Sequence, residues 1–135
     1  MTTHTPSRPT AFVIGALVTA FFDVFGLIAV TGIFVLTSLG LGVGGMASAT
    51  EEAFGLFMAS GIVGFVGLVG ILFFAAQLLI TWLAWNGNRA GIALLIGMSI
   101  LGILVSGGLS VPLGILTIVG SIQWLEALKE EPVPA

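Results

Sequence analysis

The chain of 135 residues has no cysteine. That removes disulfides, thiolate metal sites and cysteine nucleophiles, and leaves the redox compartment open. Charge is nearly as scarce. Lys and Arg number 3 and Asp and Glu 6, so 7% of the chain is charged, where a soluble domain averages about 25%. A water-soluble surface cannot be built from so few charges, so lipid must be the solvent for most of the chain. Three basic residues also cannot form a nucleic-acid footprint, which needs clustered Lys and Arg. Histidine occurs once, as His4 in a polar, proline-containing stretch. A lone His on a tail lacks the fixed partners that metal binding or catalysis requires. No Ser-His-acid set, metal-ligand spacing or phosphate loop with its Lys is present. These absences imply no enzyme, no catalytic residue, no cofactor and no metal. The formal charge of −3 comes mostly from Glu51–Glu52 and Glu130–Glu131 and says little about partners.

What is present is 58% hydrophobic residues. Residues 53–86 form a long uncharged segment, with Gln77 as the one strongly polar side chain in its interior. Roughly 20 apolar residues suffice to cross a bilayer as a helix, so this segment is a membrane span. Residues 10–39 form another. The Ala47-Ser48-Ala49 sequence resembles a signal-peptidase site, but a signal core is about 7–15 residues and this stretch is nearly twice that, with Asp23 inside it. Asn86-Gly87-Asn88 reads as a tight turn whose second Asn caps the following helix. Ser110 before Pro112 reads as a helix start, since Pro fits the first turn. Two shorter spans follow, at 89–105 and 111–128.

The expected fold is therefore an all-α integral membrane protein. Four transmembrane helices form an up-down bundle over residues 10–128, with tails at 1–9 and 129–135 on the same side. A re-entrant hairpin competes for the last two spans, which are short. The glycines at 40, 42, 44 and 45 predict an end to the first helix. Ser48 to Glu51 reads as a capping box, with the glutamates at the positive end of the helix dipole. The second helix then either starts near Ala49 and runs unbroken, at ~55 Å far longer than the membrane core, or is broken near Gly61.

Four spans place Arg8, Arg89 and Lys129 on one face and no basic residue on the other. The positive-inside rule makes that face cytoplasmic. Trp82, Trp85 and Trp124 fall at the same face, the level where tryptophan prefers to lie. With Arg89 and Lys129 they are the expected interface anchors. The implied location is the cell membrane, multi-pass, bacterial inner membrane from size and simplicity, with both termini inside.

Two constellations remain. Gly61, Gly64, Gly67 and Gly70 form a ladder that lets helix backbones approach closely, either within the bundle or against another copy or another membrane subunit. Asp23, Gln77, Ser99 and Thr117 each place one polar side chain near mid-membrane, about 18, 12, 15 and 15 Å from the cytoplasmic edge at ~1.5 Å per residue. On a helical wheel Gly15, Thr19, Asp23 and Gly26 share one face, as do Gly67, Gly70, Gln77 and Thr81. Intramembrane carboxylates often mark ion paths. With no second acid, His or Lys at depth, a structural link from Asp23 to Gln77 or Ser99 is the better-supplied reading. The expected role is a non-catalytic assembly or accessory subunit, in lipid and in a homo-oligomer or larger complex. The rival is a small proton or cation transporter or channel component using Asp23.

Overall fold

The computed structural model describes residues 6–47, 52–106, 108 and 111–130, and all of its regular elements are α-helices. They are α1 (Thr10–Ala47), α2 (Glu52–Trp85), α3 (Arg89–Ser106) and α4 (Val111–Lys129). Three of them, α1, α2 and α4, are long and apolar enough to cross a membrane, and α3 is a shorter apolar helix. An apolar solvent offers no partner to a bare N–H or C=O, so these sequences bond internally as helices. His4, the capping box at Ser48 to Glu51, the helix start at Ser110 and most of the last tail lie outside the described residues.

Local chemistry sets the helix ends. The Pro9 carbonyl accepts from Val13 N at 3.0 Å, which opens α1 where a residue without an N–H loses nothing. At the end of α2, Gly87 N donates to Ala84 O at 3.0 Å and Asn88 N to Leu83 O at 3.1 Å. This is a Schellman closure, and Gly87 at its C′ position has φ +76°, a left-handed conformation that favours glycine. Asn88 then caps α3, its Oδ1 accepting from Ala90 N at 3.0 Å and Gly91 N at 3.1 Å.

One expectation about breaks is corrected, and of the two forms open for the second helix the structure has the unbroken one. The glycines at 40–45 do not end α1, which continues to Ala47. The residues between them are apolar, and Gly45 and Gly44 are where Phe57 and Leu56 come close, so packing holds the backbone helical where a turn was expected. Helix α1 therefore extends eight residues beyond the span expected at 10–39. Gly61 likewise does not break α2, which runs unbroken over 34 residues. At ~1.5 Å per residue α1 and α2 are about 57 and 51 Å long, well beyond the ~30 Å hydrocarbon core.

The chain divides into two compact units, Met1–Phe22 with Gln77–Ala135, and Asp23–Ala76. The first, the packed unit, holds the start of α1, the end of α2, and α3 and α4. Here α4 runs antiparallel to α3, with Gly114 against Ile103 and Arg89 against Leu128. It also runs antiparallel to the start of α1, with Gly120 against Phe12 and Gly15 against Thr117. The core is Phe12, Ala16, Ala84, Ile92, Leu95 and Trp124. The second, the hairpin unit, pairs α1 and α2 antiparallel through Gly26–Phe74, Val30–Gly70, Phe34–Gly67 and Gly45–Phe57.

Candidate functional site

One end of the packed unit gathers its arginines and two of its tryptophans. The last carbonyls of a helix lack intrahelical donors and carry the negative end of its dipole. Arg8 Nε donates to Trp85 O at 3.2 Å, and its guanidinium carbon lies 4.6 Å from the centroid of the Trp85 ring. Arg89 Nη2 donates to Leu128 O at 2.9 Å, in the last turn of α4. Trp124 Nε1 donates to Ala84 O at 3.2 Å. Phe12 lies against both indoles, with ring centroids 6.2 Å from Trp85 and 6.0 Å from Trp124. Arg8 thus completes the C-terminus of α2 from outside any helix, and Arg89 of α3 completes that of α4.

The expected anchors separate here. Trp82 is 60% exposed, whereas Trp124 is only 5% exposed and forms part of the core. Trp85 is half-buried, and Arg89 and Lys129 are exposed.

The mid-helix polar positions are also distinguishable. In the packed unit Thr117 is buried, with Oγ1 donating to Leu113 O at 2.9 Å. Half-buried Ser99 donates from Oγ to Leu95 O at 2.8 Å. Both hydroxyls therefore bond within their own helix. Gln77 is half-buried. Thr19, Thr81 and Ser121 are buried too. Thr19 and Thr81 belong to the wheel faces read from sequence, but Ser121 carries no such signal beyond its neighbour Gly120. In the hairpin unit Asp23 is 3% exposed, and its buried Oδ2 has no hydrogen-bond partner.

The glycine ladder lies in the hairpin unit and is used unevenly. A side chain at Gly67 would overlap the Phe34 ring. At Gly70 a Cβ would stand 3.0 Å from Val30 Cγ1, and at Gly64 it would stand 3.3 Å from Phe34 Cε2. Gly61 has nothing within 4 Å, nor does Gly32 on α1. Beside these glycines a wholly apolar groove of about 380 Å³ is lined by Val30, Phe34, Ile62, Val66, Gly67 and Gly70, among others.

Among the described residues no three His, Cys, Asp or Glu side chains lie together as metal ligands. No family model, curated protein or solved structure matches this chain. The fold and composition define a class, an all-helical membrane protein, and within it the features available for function are the capped aromatic end, the Asp23 carboxyl and the open glycine face.

Proposed function

We propose that this chain is a non-catalytic integral membrane protein that packs with other membrane helices, as an assembly or accessory subunit in an oligomer or larger complex. All four helices span the bilayer as an up-down bundle, with both termini on the cytoplasmic side of a cell membrane. The carrying observation is the poverty of the hairpin unit. Among its described residues three are buried, Asp23, Gly45 and Gly67, so it contains no buried apolar side chain. Helices in lipid associate through close backbone contact rather than a hydrophobic force, and small residues permit that contact. A Cβ added at Gly32 or Gly61 would meet nothing within 4 Å.

Native mass spectrometry of the protein extracted in mild detergent tests this reading. The expected mass exceeds one chain by a fixed integer number of subunits, and Gly61→Leu reduces it to one chain. A single chain from the wild type overturns the reading. Topology is tested separately with single cysteines at positions 4, 51, 87 and 131 and an impermeant thiol reagent on intact cells. Labelling at position 51 alone is expected, and labelling at 131 without 51 would refute the orientation.

A second reading rests on the partnerless Oδ2 of Asp23. A buried intramembrane carboxyl can hold a cation or pass a proton. Reconstituted vesicles with an imposed potential and a pH-sensitive dye separate the two roles. Proton flux that disappears in Asp23→Asn establishes transport, and absence of flux in both proteins supports assembly.

A further inference from the structure

We infer that the packed unit holds an internal water at the seam between α2 and α4, bound by the hydroxyls of Thr81 and Ser121. A hydroxyl inside a helix has a default partner, the carbonyl one turn earlier. Ser99 and Thr117 take it, bonding Leu95 O at 2.8 Å and Leu113 O at 2.9 Å. Thr81 and Ser121 do not. They are 5% and 0% exposed, and neither Thr81 Oγ1 nor Ser121 Oγ has any hydrogen-bond partner. Both oxygens have turned from the bond available to them, and neither meets a protein group in exchange. Buried polar groups without a partner are rare, and an ordered water is a common resolution.

The register brings the two together. The Trp124 Nε1 to Ala84 O bond ties α4 to α2 at one height. Gly91 of α3 lies against Leu83 and Ala84, and Gly114 of α4 lies against Ile103. Helices α2 and α4 are thus each antiparallel to α3 and run in the same direction. Thr81 precedes Ala84 by three residues, and Ser121 precedes Trp124 by three. Each is therefore about 4.5 Å from the tie along its own axis, and neighbours at i and i+3 share a helix face. This register puts Thr81 and Ser121 on the tied faces of α2 and α4, each within about one turn of the tie. Beside them along their own helices stand small buried residues, Ala84 one turn after Thr81 and Gly120 next to Ser121. Water needs two or more polar partners in a roomy polar site. Two hydroxyls that can each donate or accept meet that need.

The test is infrared spectroscopy of the full chain in detergent, comparing ordinary water with ¹⁸O-labelled water. A bound internal water gives an O–H stretch that moves with the oxygen isotope, which a side-chain hydroxyl does not. The wild type and Thr81→Ser are expected to show this band, and Thr81→Val and Ser121→Ala to lose it while their helical circular dichroism is retained. Each of those two variants lowers Tm, and the double variant lowers it by less than the two shifts combined, because removing both partners leaves no orphan. Absence of an isotope-sensitive band in the folded wild type overturns the inference whatever the variants do. Persistence of the band in a folded double variant places the water elsewhere and overturns it equally.

Discussion

The two units of this chain share the same two long helices and pack by opposite means. The packed unit buries apolar side chains, Phe12, Ile92, Leu95 and Trp124 among them, and closes its helix ends with Arg8, Arg89 and the Trp124 indole. Among its described residues the hairpin unit buries two glycines and one carboxyl. The packed unit is held by interdigitated side chains, whose contacts are individually weak and collectively large. The hairpin is held by rings and branched side chains laid over bare backbone, as Phe34 lies over Gly67. A helix pair in lipid can therefore be specified by what is absent from its surface as well as by what projects from it.

The comparison is broken most severely at Gly120. A side chain there would collide with backbone atoms of Phe12 and Ala11, which cannot rotate away. Gly120→Leu is expected to cost at least the ~1–3 kcal/mol of an overpacked core, and loss of the cooperative melt in detergent is the readout. Gly67→Leu meets a side chain instead, the Phe34 ring, which can swing aside. A cost within the ~1–3 kcal/mol range is expected, with the melt preserved at lower temperature. If the two substitutions cost the same, the distinction between the units fails.

Smaller effects sharpen it. Trp124→Phe keeps most of the ring but removes the donor to Ala84 O, which still accepts from Gly87 N. About 0.5–1.5 kcal/mol of stability should go, the usual worth of one hydrogen bond. Gly61→Leu should change the melting of a single chain hardly at all, because nothing lies within 4 Å of it. A shift in the melt of the isolated chain as large as that of Gly67→Leu would mean that the open face is packed by the chain itself.

The features legible in the sequence were those with local causes. The Asn86-Gly87-Asn88 turn follows from three residues and their own backbone bonds. The wheel faces were also readable: Gly15, Thr19 and Asp23 are buried on one, Gly67 and Thr81 on the other. The misreading at Gly40 to Gly45 came from treating glycine as a helix terminator, a rule from water-exposed chains. Here the bare backbone is where Phe57 and Leu56 approach. Ser121 left no trace, since one Ser beside one Gly is ordinary in an apolar helix. Arg8 was read for its charge alone, because its bond to Trp85 O spans 77 residues and no local pattern encodes such a pair.

That span also sets an order of construction. A ribosome adds about 5–20 residues per second, so Arg8 waits on the order of 4–15 s after its own synthesis before residue 85, 77 positions later, exists to receive its hydrogen bond. The hairpin unit, complete at Ala76, has all its helix contacts available before then. The packed unit gains its last ties later still, when Trp124 reaches back 40 residues to Ala84 and Leu128 presents its carbonyl to Arg89. Until residue 85 exists Arg8 is without its acceptor, and until residue 124 exists Ala84 O at the end of α2 is without the indole donor.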